Sequence, residues 1–234
     1  LENALTLTEV EDIYRPYKPK RKTRATVAIA KGLEPLADII QAQELTEPVE
    51  NVAKDYVSEE KGVNSIEEAI AGAKDIIAER ISDDANLRKT LREIIAKKAQ
   101  IKAVWDEEAD ENKTYENYKD FVGDVAKIPS HRILALNRGE KEKCLKVNIE
   151  INPKLTITEI ENVYKKDNEF TNQIMDETIL DSYDRLLFPS LERECRSTLT
   201  DRADEQAIKM FEVNLKPLLL QAPLKNNVIM GYDP

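Results

Sequence analysis

The chain has 234 residues, 41% hydrophobic and 34% charged, with a formal net charge of −10. At that length about three quarters of the unfolded surface can be buried, and with only six glycines the composition favours a helix-rich globular fold over a disordered chain or a β-sandwich. A pI near 4.9 excludes a surface that binds polyanions all over, so nucleic-acid contact has to be local.

Leu5, Val10 and Ile13 give residues 1–13 the pattern of a helix. From Tyr14 to Arg24 the sign of the charge reverses: Arg15, Lys18, Lys20, Arg21, Lys22 and Arg24 are basic and nothing is acidic. Pro16 and Pro19 restrict the residues before them, which predicts an extended path from Tyr14 to Lys20. Thr23 is placed to cap a short helix from Arg24 to Lys31, and Gly32 to end it in the left-handed region. Pro35 suits the start of a second helix, through about Gln43. Two short helices about a glycine predict a helix-turn-helix-like unit.

Pro48 to Val57 reads as another helix, broken at Gly62 and Asn64. Ser65 and Glu68 have capping-box spacing for a helix to Ile81. A longer helix opens at Ser82, Asp83 and Asp84, with Leu87, Leu91, Ile94, Ile95 and Ile101 on one stripe. Its other face carries Arg88, Lys89, Arg92, Lys97, Lys98 and Lys102, read as a solvated face whose bases suit the helix end. Residues 106–119 are acidic and loop-like, and Trp105 reads as a core anchor.

A helix is predicted from near Pro129 to Gly139, followed by a short strand on the alternation of Val147, Ile149 and Ile151. Thr156 and Glu159 suggest a capped helix to Lys165, and Glu169 to Leu187 a further amphipathic helix. Beyond Pro189 the four-residue spacing of Leu191, Cys195, Leu199, Ala203, Ala207 and Phe211 predicts one long helix to about Gln221. Its length would be about 45–50 Å, with a kink or break at Pro217. Residues 228–234 read as a strand entering a turn. The fold class expected is mainly α, with a short β element near 144–151 and a long helix near 190–221.

The chemistry on offer is sparse. The chain has no glycine-rich phosphate loop, zinc-type cysteine spacing or serine hydrolase signature. His131 is the only histidine, and a helix-start hydrogen bond or a packed ring accounts for it. Cys144 and Cys195 lie far apart, and a buried thiol at Cys195 fits a reducing, cytoplasmic compartment. No segment reaches the ~20 apolar residues of a membrane span. The basic residues interleaved with Tyr14 and Tyr17 suit phosphate contact and base stacking on a single strand. Pairing with the acidic surface of the same protein is the competing reading.

The run IYRPYKPKRKTRAT followed by KGLEPLA resembles the N-terminal region of the bacterial Tex family of transcription accessory proteins. The segment IPSHRILALNRGEKE, the stretch from Arg185 to Arg193 and the residues around Gly231 are similar to later parts of that family. The resemblance implies a nucleic-acid-binding protein, without enzymatic activity or cofactor, that serves the transcription machinery and contacts single-stranded RNA mainly through downstream domains. It divides the chain into a helix-turn-helix-like part (1–46), a central helical region (47–187), a connecting helix (188–227) and the first strand of an RNase H-like YqgF domain (228–234). The chain then reads as a fragment of a longer polypeptide. Asp233 matches a metal-binding position of related nucleases, which leaves a metal-dependent nuclease as an alternative. A two-metal site needs several carboxylates, however, and Tyr232 departs from the expected small aliphatic residue. A protein-docking scaffold is the third reading.

Overall fold

The computed structural model describes residues 7–18, 22–222, 228, 230 and 231. Helix α1 (Leu7–Tyr14) leads directly into a single 3-10 turn, Arg15–Tyr17. The extended path expected from Tyr14 is therefore corrected: Pro16 sits in the first turn of a 3-10 helix, where its missing N–H costs nothing. Among the described residues of that path only Lys18 (φ −66°, ψ 129°), the residue before Pro19, is extended. Helices α2 (Arg24–Ala30) and α3 (Glu34–Ala42) follow. Thr23 accepts a hydrogen bond from the Thr26 N–H at 3.1 Å while the Thr26 hydroxyl accepts from the Thr23 N–H at 2.8 Å. Gly32 turns the chain at φ 80°.

Both helices pack on α5 (Ile66–Asp83), as does the short α4 (Val49–Ala53). The inward face of α5 is Ala69, Ala73, Ile76, Ile77, Ala78 and Ile81, small enough near its start for helices to approach closely. Ser65 caps α5 by accepting from the Glu68 N–H at 3.2 Å. The Glu68 carboxylate accepts from the Asn64 N–H at 2.9 Å, so the box closes one residue earlier than the spacing suggests.

Helix α6 (Ala85–Lys98) is capped by Asp84 and stops at Ala99. Ile101 and Lys102 are not its continuation but belong to β1 (Gln100–Trp105). This strand sits centrally in an antiparallel sheet of order β2-β1-β3, between β2 (Phe121–Asp124) and β3 (Leu145–Glu150). Ile101 faces Gly123 and Ile149, and Ala103 faces Phe121 and Val147, so Ile101, Ala103, Val147 and Ile149 share the buried face. Ile101 fits the helical stripe by spacing alone, which hid the strand. The remaining edge of β3 is covered by α10 (Phe188–Leu219), whose Glu192 carboxylate accepts the Ile149 N–H at 2.9 Å.

Helix α7 (Ser130–Lys141) runs two residues past Gly139. The glycine is a packing device rather than a stop: a Cβ there would lie 2.6 Å from Leu145 Cδ1. Helix α8 (Pro153–Tyr164) is capped by Asn152, not Thr156, which is buried one turn in with its hydroxyl donating to the Pro153 carbonyl at 2.9 Å. Helix α9 (Asn172–Asp181) passes through a π-helical segment, Ser182–Leu187, into α10 (Phe188–Leu219). One helical path thus replaces the two helices expected on either side of Pro189. Pro189 falls where the π-helical segment gives way to α10, a local change of hydrogen-bond pattern inside the path.

Pro217 lies inside α10 near its end. The hydrophobic core runs continuously from Ala25 to Ala203. Beyond it Ala207 and Phe211 continue the four-residue spacing but are exposed, as are Ile208, Met210 and Val213. The strand expected at 228–234 lies outside the described residues except for positions 228, 230 and 231.

Candidate nucleic-acid interface

Of the six basic residues marked by the sequence, the structure assigns one to the interior framework. Arg15 is half-buried, with its guanidinium 3.9 Å from Asp12 and 3.8 Å from Glu194. These carboxylates are the acidic half of a charge cluster joining α1, α6 and α10. Arg88, whose side chain is 1% exposed, donates to Asp12 at 2.9 Å, to Ser190 at 3.0 Å and to Glu194. Arg92 donates to Asp12 at 2.6 Å and to Glu194 at 3.0 Å. The solvated basic face of α6 is therefore corrected at Arg88 and Arg92, because burial of Asp12 requires cationic partners. Lys89 pairs with Glu9, Lys97 with Glu93, and Lys102, now on β1, with Glu150. Little of this surface is left for phosphate.

The other end of the basic segment is different. Lys18, Lys22 and Arg24 are exposed, and Lys20 and Arg21 lie outside the described residues. Tyr14 and Tyr17 project into solvent, Tyr17 being 78% exposed. Among the described residues the side chains of Lys18, Lys22 and Arg24 make neither a hydrogen bond nor an ion pair within 4 Å. Lys22 and Arg24 stand at one end of a groove of about 490 Å³ between α2 and α5. Its floor is Val27, Ala28, Leu33, Ala71 and Gly72, and Lys31, Glu68 and Asp75 complete the lining. The small floor residues have a packing origin, since a side chain at Gly72 would collide with Leu33 Cδ1.

The two carboxylates of the groove are already engaged. Glu68 accepts from Asn64, and Asp75 accepts from the Arg185 guanidinium at 3.1 Å. Burial raises the Asp75 carboxyl above its ordinary value against the pull of Arg185 and Arg24. Arg185 also bonds Asp181, chiefly by hydrogen bonding, and holds that carboxyl below its ordinary value. The groove thus has an apolar floor and a rim whose unengaged charges are positive. Such a groove suits an anionic chain.

The remaining candidates do not assemble into a reactive centre. His131 is exposed beside a cleft of about 270 Å³ between α7 and α10. Among the described residues no group of three or more His, Cys, Asp or Glu side chains is placed to hold a metal ion. Both cysteines are free; burial raises the Cys144 thiol, and burial pushes Cys195 up to about 11. Asp233 lies outside the described residues. No described helix is long and apolar enough to cross a membrane. Sequence reasoning missed the Asp12, Arg88, Arg92 and Glu194 cluster, whose members come from three distant helices. No local spacing announces it, although an aspartate on an otherwise thinly apolar helix is a faint sign.

An α-helical scaffold with a small antiparallel sheet, a buried arginine–carboxylate cluster and a basic groove is the class of protein that the fold and site define. Residues 44–211 match the Tex central region-like family, and the chain belongs to it. It is 48% identical over 237 residues to the uncharacterized protein YdcI of Bacillus subtilis, with all of this chain and 33% of the relative covered. It is 34% identical over 241 residues to the transcriptional accessory protein Tex of Neisseria gonorrhoeae (100% and 31% covered). Identity is 31% over 249 residues to the human S1 RNA-binding domain-containing protein 1 (99% and 24% covered). The chain spans about a third or less of the length of these curated relatives.

Proposed function

We propose that this chain is the helical scaffold of a non-enzymatic, nucleic-acid-binding transcription accessory protein, and that its own contact with nucleic acid is made through the basic segment of Lys18, Lys20, Arg21, Lys22 and Arg24. The observation that carries this reading is that Lys18, Lys22 and Arg24 stand exposed within seven residues of one another with no ion pair among the described residues, in a chain of net charge −10, and that Lys22 and Arg24 line one groove. Arg15 is withdrawn from the interface because it serves the charge cluster. Single-stranded RNA is the favoured partner, since exposed Tyr14 and Tyr17 add stacking surfaces that a paired duplex does not engage. The relatives named as a transcriptional accessory protein and as an S1 RNA-binding domain-containing protein support this direction. The transcription machinery is the proposed setting, in the cytoplasm, where two free thiols remain reduced. Helix α10 serves as the connecting element.

The test is fluorescence anisotropy of a labelled single-stranded RNA against the 234-residue chain across a salt series. Binding should weaken with salt, and alanine at Lys18, Lys20, Arg21, Lys22 and Arg24 should reduce the slope of log K against log salt by about 0.7 per lost contact. An unchanged affinity and slope would make the segment structural. RNA cleavage that requires Mg²⁺ or Mn²⁺ and disappears on Asp233→Asn would instead favour the nuclease reading.

A further inference from the structure

The far end of the groove holds a feature that no spacing in the sequence suggests. Lys31 ends α2 just before Gly32, and Lys61 ends the 3-10 turn Glu59–Lys61 just before Gly62. Both glycines have positive φ, 80° and 72°, so both turns depend on a residue without a Cβ penalty. The two turns lie against each other, and each lysine crosses the glycine of the other turn. Lys31 Nζ donates to the Gly62 carbonyl at 2.7 Å. A Cβ built at Gly32 would lie 3.3 Å from Lys61 Nζ.

Two lysine ammonium groups are thereby held at one pair of adjoining turns. Among the described residues neither has a carboxylate within ion-pair distance, and Lys61 is fully in the exposed class. Glu59 and Glu60, exposed on the same turn, pair with neither of them. Like charges gathered at a surface repel, and an anion arriving there gains the attraction of both. Lys31 also lines the groove that begins at Lys22 and Arg24. Along α2, Arg24 and Lys31 are about 10 Å apart by helical rise. One inorganic anion cannot bridge that distance, whereas successive phosphates of a strand can.

We propose that Lys31 and Lys61 extend the basic segment into a continuous phosphate track for single-stranded RNA, running along the α2–α5 groove from Lys22 and Arg24 to the paired glycine turns. This deepens the function proposed above and rests on it. The strand passes over Val27, Ala28, Leu33, Ala71 and Gly72, a floor too narrow in polar groups to read sequence. Binding along the track is accordingly indifferent to base identity.

The experiment uses the 234-residue chain and a fluorescein-labelled oligouridylate, with Lys61→Gln, Lys31→Gln/Lys61→Gln, Lys61→Arg and Glu59→Gln/Glu60→Gln variants. Lys61→Gln is the safe probe of charge because this ammonium makes no hydrogen bond among the described residues, and thermal melts confirm that each variant folds. The salt slope should fall by about 0.7 for each lysine removed. Lys61→Arg should keep the wild-type slope, and neutralising Glu59 and Glu60 should tighten binding. If the wild-type chain binds RNA with a steep salt slope that the double lysine variant leaves unchanged, the track is refuted while the basic segment stands. If the wild-type chain shows no salt-dependent RNA binding, both proposals fall together. Polyglutamate that binds more tightly than RNA and loses its affinity with Lys31 and Lys61 would overturn the assignment in favour of an acidic protein partner.

Discussion

Replacing Asp12 with asparagine should destabilise the protein far more than its position near the start of the described chain suggests. Asp12 is 3% exposed and accepts two charge-assisted hydrogen bonds, from Arg88 at 2.9 Å and Arg92 at 2.6 Å. The substitution preserves shape and one acceptor oxygen but removes the charge that balances a buried guanidinium. Breaking a buried pair typically costs about 3–5 kcal/mol. Because Glu194 remains on both arginines, we expect the lower end, about 3 kcal/mol. Urea unfolding monitored by circular dichroism should show the midpoint falling at unchanged m. The protein has one alternative to bearing the penalty: α1 can undock, since Asp12 is its one buried residue among those described. Hydrogen exchange across residues 7–14 should then accelerate selectively. The double variant Asp12→Leu/Arg88→Met removes both members of the pair and should recover much of the loss. A destabilisation of Asp12→Asn below about 0.5 kcal/mol, the range of an ordinary surface change, with unaltered exchange in α1 would refute the reasoning.

Gly139→Ala should destabilise by about 1–3 kcal/mol in the same assay, although alanine is the better helix former, because its Cβ would press into Leu145 and Tyr115. Trp105 is the only tryptophan, so its fluorescence reports on the loop of Asp110, which accepts from Trp105 Nε1 at 3.0 Å and from the Tyr115 N–H at 2.7 Å. Burial alone would raise the Asp110 carboxyl, but the hydrogen bonds from Tyr115, Trp105 and Thr114 outweigh it and hold the group below its ordinary 3.8. Its contribution is therefore complete above the unfolded value and lost as pH falls through the lower folded value. The Trp105 emission should shift to the red only below about pH 4, and Asp110→Ala should produce that shift at neutral pH. The Cys195 thiol, pushed up to about 11 by burial, should react with iodoacetamide at pH 8 at least tenfold more slowly than a free thiol, and equal rates would contradict its environment.

Elements whose signals are local were the ones legible in the chain. Thr23, Gly32 and Pro35 specify α2, its stop and the start of α3 through hydrogen bonds and backbone preferences that span at most three or four residues. The four-residue repeat from Leu191 likewise marks α10 because one face of a helix is a local property. Where the outcome depended on distant partners, spacing misled. Ile101 is in phase with Leu87, Leu91 and Ile94, yet it pairs with Gly123 and Ile149 in a sheet whose other strands lie far along the chain. Gly139 looks like a terminator until Leu145 is placed against it. The same division holds for the site. The basic segment is visible as a run of charge, but its partition into a half-buried Arg15 and exposed Lys18, Lys22 and Arg24 is decided by Asp12 and Glu194. Lys61 joins the groove only through the juxtaposition of two turns.

Successive turns of α10 are fastened to different neighbours: Glu192 to β3, Glu194 to Arg88 and Arg92 of α6, Arg196 to Glu140 of α7, and Thr200 to Asn137. These attachments fix the rotational phase of the helix about its own axis, and a last one, from the Ser130 hydroxyl of α7 to Gln206, carries that phase just beyond the core. The bearing of the exposed Ile208 and Phe211 is thus set largely by fastenings earlier in the helix. One residue inserted between Gln206 and Ala207 would leave these fastenings intact and swing those apolar side chains by about 100°. The tail behaves like the hand of a clock whose setting is held at the hub.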